Sequence, residues 1–95
     1  MARRTLLKPQ DRQELFDVPT DEDSLIRHYS LSPADRLEIE IRRREHNRLG
    51  FAVQLCLMRY PGRALLPNEI PPSAMLNYVA EQIDADPRLF AFYAR

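Results

Sequence analysis

Residues 47–60 read NRLGFAVQLCLMRY. Leu49, Ala52, Val53, Cys56, Leu57 and Tyr60 recur at the i, i+3, i+4, i+7, i+8 spacing of one helix face. Phe51, Leu55 and Met58 cover most of the remaining circumference. A helix that is apolar nearly all round has to be wrapped by its neighbours, so this stretch is predicted to be the central, most buried helix, near 48–60. Asn47 is a good cap for its start. Tyr60-Pro61-Gly62 ends it, because proline cannot continue the hydrogen-bond ladder and glycine permits the turn. Gly50, near the helix start, allows another helix or backbone to approach closely.

Upstream, Ser32-Pro33-Ala34-Asp35 combines a capping serine, a proline at the first helical position and an acid in the first turn. The following Leu37-Glu38-Ile39-Glu40-Ile41 alternates as a strand would. The cap before it favours helix, as do the acid-before-base pairs Glu38–Arg42 and Glu40–Arg44 at i,i+4. Leu37 and Ile41 are then expected against the central helix. Thr20-Asp21-Glu22-Asp23 opens an earlier helix, with Thr20 as cap and Leu25, Ile26 and Tyr29 facing inward. Pro9 to Phe16 reads as a further short helix.

Downstream, Arg63 to Pro72 is a proline-punctuated corner. A helix is predicted over about Pro72 to Asp84, with Leu76, Val79, Ala80 and Ile83 inward. Asp86-Pro87 repeats the cap-then-proline start and opens a last helix through Arg88–Arg95. Leu89, Phe90, Phe92 and Tyr93 cannot all face one side of it, so at least one ring is expected to be exposed or buried against a second copy, as in a homodimer. That ending carries no stop signal and is expected to be a cut edge. The fold class is therefore all-α: a compact bundle of about five short helices, helix-turn-helix-like, forming one domain over residues 1–95.

Composition narrows the function. The 95 residues hold 14 basic and 14 acidic side chains and sum to zero charge. Hydrophobic content of 44% and charged content of 29% fit a globular chain rather than a disordered one. No apolar run approaches the ~20 residues of a membrane span. The lone cysteine, Cys56, excludes an internal disulfide, in keeping with a reducing, cytoplasmic setting. Inside so apolar a helix it is expected to act as a small hydrophobe. His28 and His46 have no cysteine or carboxylate at ligand spacing, and the acids at 21–23 suit a helix start better than a metal, so no metal is expected. With Gly50 and Gly62 as the two glycines there is no phosphate loop, and no cofactor or catalytic constellation is expected.

Charge is distributed unevenly. Residues 42–63 contain six arginines and one acid, Glu45, a net charge of +5, while both flanks are acidic. Thirteen of the 14 basic residues are arginine, whose planar fork suits phosphate and guanine edges, although a high genomic G+C content enriches it as well. Two readings of Arg42, Arg43 and Arg44 compete. In one they are the solvated end of a helix, favourable beside its negative dipole end and paired back to Glu38 and Glu40. In the other they form a phosphate-binding edge that continues through His46, Asn47 and Arg48, where helix-start N–H groups also favour anions. Two helices joined by a short turn are how helix-turn-helix proteins address the major groove. The residues alone favour the solvated end.

The stretch RHYSLSPADRLEIEIRRREHNRLGFAVQLCLMRYPGR, residues 27–63, resembles the N-terminal region of the large transposases of the Tn-three family of replicative transposons. Three elements carry the likeness: Arg27–Ser32, His46–Cys56 and Arg59–Arg63. The closing DPRLFAFYAR extends it over essentially the whole chain. One departure is Glu45, which precedes His46 where the family pattern has a small residue, often glycine. The resemblance implies a non-catalytic DNA-binding module that helps recognise terminal inverted repeats of double-stranded DNA. The catalytic acidic triad would lie in the remainder of the transposase, a second partner. Phosphate contacts are then expected from Arg42, Arg43, Arg44, Arg48 and Arg63, with His46 or Asn47 nearest a base edge. An alternative from another class is a packing module that docks on the rest of the transposase through Leu89–Tyr93 and leaves DNA to later residues.

Overall fold

In the computed structural model, which describes residues 17–66 and 69–93, Asp21 opens the first helix, α1 (Glu22–Tyr29), by accepting a 3.0 Å hydrogen bond from the Ser24 amide. The cap is thus Asp21 and not Thr20. Its carboxylate reaches the third helical N–H while its charge faces the positive helix end. Helix α2 (Pro33–Glu40) starts at Ser32, whose hydroxyl accepts from the Asp35 amide while the Asp35 carboxylate accepts from the Ser32 amide, a complete capping box. The alternating segment is therefore helix, as its upstream cap requires. Helix α3 (Glu45–Arg59) is the long central element, α4 runs over Ser73–Gln82, and a 3-10 turn at Pro87–Leu89 leads into α5 (Phe90–Tyr93). The fold is all-α, with no strand among the described residues. The predicted helix at Pro9–Phe16 lies outside them, as do Ala94 and Arg95.

The core is built on α3. Leu49, Ala52, Val53, Cys56 and Leu57 are buried, and Tyr29, Leu25, Ile39, Met75, Val79, Ala80 and Phe90 close around them. Burying side chains of this size contributes about 1.5–3 kcal/mol each before the entropy cost of ordering them. Cys56 sits wholly inside, and burial pushes its thiol up to about 12, so it packs as a small hydrophobe. Gly50 lies against the Tyr93 ring so closely that an added Cβ would overlap its ring carbons, which is the close approach of a neighbouring helix read from the sequence.

Several inward faces differ from expectation. Leu37 is 66% exposed and Ile41 67%, while Ile39 is buried. The capping box and the Asp35–Arg59 pair turn Asp35 toward α3, and one helical turn later that places Ile39 inward. Ile26 is likewise exposed, and α1 buries Leu25 and Tyr29 alone. Tyr60 is part-exposed because it is the residue at which α3 stops. In α4, Met75 is fully buried beside Val79 and Ala80, with Leu76 and Ile83 at the margin. That helix ends at Gln82, two residues before the predicted Asp84, which itself is left-handed with φ +57°, and the Ala85 amide returns to the Ala80 carbonyl. After α3, Gly62 takes φ +98° and donates to the Leu57 carbonyl.

Polar side chains fasten the helix ends. Arg59 donates twice to Asp35, at 2.6 and 2.7 Å, joining the start of α2 to the end of α3. The Arg59 hydrogen bonds and the Ser32 amide hold the Asp35 carboxyl well below the usual carboxylate range. Tyr29 donates to the Tyr60 carbonyl at 2.8 Å, and His28 stacks on Tyr60 with ring centroids 4.0 Å apart. Gln82 accepts from the Leu31 amide and donates to the Tyr29 carbonyl, clamping the α1–α2 link onto α4.

Candidate nucleic-acid interface

Helix α2 gives out at Glu40, and residues 41–44 turn the chain into α3. Arg44, not Asn47, occupies the N-cap position, in an extended conformation and without a side-chain cap. Asn47 falls within the first turn of α3 and is exposed. An arginine has no acceptor for helix N–H groups, so no side chain caps the start of α3, and the acid there is the exposed Glu45 at its first position.

Three interactions shape the turn. Arg48 curls back and donates through Nη1 to the carbonyls of Arg42 and Arg43, at 3.0 and 3.2 Å. Arg42 sends Nη1 to the Glu38 carbonyl at 3.2 Å and lays its guanidinium over Phe51, with Cζ 3.7 Å from the ring centroid. His46 is half-buried, 6.2 Å from the Phe92 ring. The predicted Glu38–Arg42 and Glu40–Arg44 ion pairs are absent among the described residues. Arg42 prefers the carbonyl at the helix end, and Arg44 lies beyond the helix, so i,i+4 spacing no longer places it beside Glu40. Arg43 and Arg44 are exposed, with no side-chain partner among the described residues.

Of the seven residues predicted to contact DNA, six are therefore gathered at one turn: Arg42, Arg43, Arg44, His46, Asn47 and Arg48. Arg63 stands apart. It follows the far end of α3, a helix roughly 20 Å long at its 15 residues, and pairs with Asp17 at 3.0 Å and Glu69 at 2.8 Å. Those hydrogen bonds raise its already high pKa further. Asp35 and the Asp17–Glu69 pair thus neutralise Arg59 and Arg63, while Arg42, Arg43, Arg44 and Arg48 form no ion pair among the described residues. A cleft of about 180 Å³ opens beside Arg48, but Glu40 and Asp84 line it together with Arg36 and Gln82. The turn itself carries Arg42, Arg43, Arg44 and Arg48 against one acid, Glu45, at the first position of α3.

Two residues are misassigned by sequence alone, one at the far end of α3 and one at this face. Arg59 counts toward the positive run by position, although it belongs to Asp35. The capping sequence Ser32-Pro33-Ala34-Asp35 is the available signal, since it fixes that carboxylate at a helix start. Phe51 reads as core filling, and nothing in the spacing marks it as the support of Arg42. Among the described residues no group of His, Cys, Asp or Glu gathers to hold a metal, and no helix is long and apolar enough to cross a membrane.

Comparison with known proteins places the chain. Residues 6–95 match the family described as a domain of unknown function, DUF4158. The transposase for transposon Tn501 of Pseudomonas aeruginosa is 43% identical over 93 residues, which are 98% of this chain and 9% of that protein. The transposase for Tn21 of Escherichia coli is 45% identical over 82 residues, 86% of this chain and 8% of the relative. The transposase for Tn1546 of Enterococcus faecium is 39% identical over 90 residues, 95% of this chain and 9% of the relative. The chain spans about a tenth of the length of these curated relatives. No solved structure matches it. By family match and by relatives, the chain belongs to the DUF4158 family and corresponds to the N-terminal region of Tn-three family transposases.

Proposed function

We propose that the chain is a non-catalytic, DNA-binding part of a transposase that helps recognise the terminal inverted repeats. The observation that carries this reading is the α2–α3 turn, where four arginines without an ion pair among the described residues outnumber the one acid, Glu45, around a helix start that no side chain caps. Because α3 is buried along most of its length, docking is end-on. Arg42, Arg43, Arg44 and Arg48 face phosphates, and the exposed Asn47, with His46 behind it, comes nearest a base edge. Arg63 is the outlying member, and a phosphate there would have to replace Asp17 and Glu69. Catalysis then falls to the remainder of the transposase, which is also the chain's protein partner.

The packing-module reading, which docks through Leu89–Tyr93, has in its favour that Phe92 in that segment is 53% exposed, as expected of at least one of its rings. Leu37 and Ile41, at the end of α2, leave a second apolar edge that another surface could cover. Titration of the chain against a duplex carrying the transposon's own terminal repeat, and against a shuffled duplex, separates the two. DNA recognition predicts tighter binding to the repeat, and Asn47→Ala erodes that preference by up to about 1–3 kcal/mol, the value of a good base contact. Equal, weak binding to both duplexes, unmoved by Asn47→Ala, would sink the recognition role.

A further inference from the structure

We propose that Phe51 is a positioning residue that orients Arg42, so that phosphate binding at this turn depends on Arg42 being arginine and not only on its charge. The inference rests on the DNA-binding reading and deepens it. Arg42 has its guanidinium over the Phe51 ring and one nitrogen on the Glu38 carbonyl, while its Nε–H and Nη2–H groups have no partner among the described residues. Two interactions thus fix the cation, and neither consumes its charge. Arg43 and Arg44 have no such hold and must be ordered on docking, at a cost of about 0.5–1.5 kcal/mol for each long side chain.

Phe51 suits the role because it is itself anchored. It is packed against the core from α3, and it lies one helical turn beyond Asn47 on the same side of that helix. The oriented guanidinium therefore sits beside the residue expected at the base edge. Arg48 contributes by tying down the carbonyls of Arg42 and Arg43, which keeps the backbone carrying Arg42 in register with the ring. A lysine at 42 would keep the charge but lose the support, since its ammonium is compact, strongly hydrated and without a planar fork.

The test uses the 95-residue chain, a mixed-sequence duplex of about two helical turns, and affinity measured over a range of salt concentrations. Arg42→Lys and Phe51→Leu are each expected to lower the slope of log K against log salt by about 0.9, the value of one neutralised phosphate. Phe51→Tyr, which keeps the ring, should restore the slope that Phe51→Leu lowers. By NMR, the ring-current shift of the Arg42 side-chain protons should disappear in Phe51→Leu and return in Phe51→Tyr. If Phe51→Leu does not fold, Arg42→Lys carries the test. The proposal is overturned if Arg42→Lys keeps the parent's affinity and slope while Arg42→Gln loses both, an outcome that leaves the DNA reading standing. Should Arg42→Gln also bind like the parent, phosphate binding at this residue fails and the inference falls with it.

Discussion

Asp35 joins two helices through a single carboxylate. It completes the α2 capping box, and it receives both arms of Arg59 while about nine-tenths buried. Asp35→Asn keeps the shape and removes the charge, leaving Arg59 poorly matched. Because Arg59 is itself 44% exposed, the expected loss at neutral pH is about 1–3 kcal/mol rather than the larger cost of a fully buried pair. The pH dependence has a definite sign. The folded-state pKa is depressed, so the pair's contribution is fully present above the ordinary value of 3.8 and is lost as pH falls below it. Chemical denaturation at a series of pH values should show the parent and Asp35→Asn converging below about pH 4. A constant gap would mean that folding does not lower the Asp35 pKa. Gly50 makes a second residue-scale prediction. Gly50→Ala must push the Tyr93 ring away, costing about 1–3 kcal/mol as overpacking does and loosening α5, visible as a lower melting temperature and faster hydrogen exchange over residues 90–93. The glycine was legible in the sequence as a point of close approach, but its partner, far downstream in the last helix, was not.

At the scale of elements, α2 separates what periodicity can determine from what it cannot. Its cap made it a helix, but two apolar sets, Leu37 with Ile41 and Ile39 alone, fitted opposite faces. Only the ion pair from Asp35 to α3 decides between them. Ile39→Ala should therefore cost about 2–5 kcal/mol, as large-to-small core changes do. Leu37→Ala should stay within about 0.5 kcal/mol, as exposed positions do. Equilibrium denaturation of the two variants checks this, and the reverse order would restore the expectation that Leu37 and Ile41 face α3. The buried face of helix α3 was legible because Leu49, Ala52, Val53, Cys56 and Leu57 recur at helical spacing, whereas of the residues expected to be wrapped on its other sides Met58 is exposed and Phe51 and Leu55 are half-buried. The start of α3 was not legible, because Asn47 is the better cap in isolation, whereas Arg48 bonding back to the turn carbonyls lets α3 begin two residues before Asn47, at Glu45.

Over the whole molecule, a chain of zero net charge becomes polar through folding. Acids from distant segments, Asp17, Asp35 and Glu69, take Arg59 and Arg63 at one end of α3, and the positive charge that remains collects at the other end. The sequence showed that charge was concentrated between residues 42 and 63. It could not show which arginines would be neutralised, because every one of those pairings is made with an acid outside the run. The central claim is that the remaining cluster holds DNA phosphates. It is tested most directly by an Arg42/Arg43/Arg44→Gln triple variant, verified as folded by its melting curve and titrated with duplex DNA at two salt concentrations. Weaker binding to every duplex is predicted, with the slope of log K against log salt reduced by up to ~2.7, about 0.9 for each phosphate no longer neutralised. Affinity and slope equal to those of the parent chain would contradict it and make the arginines a solvated helix end.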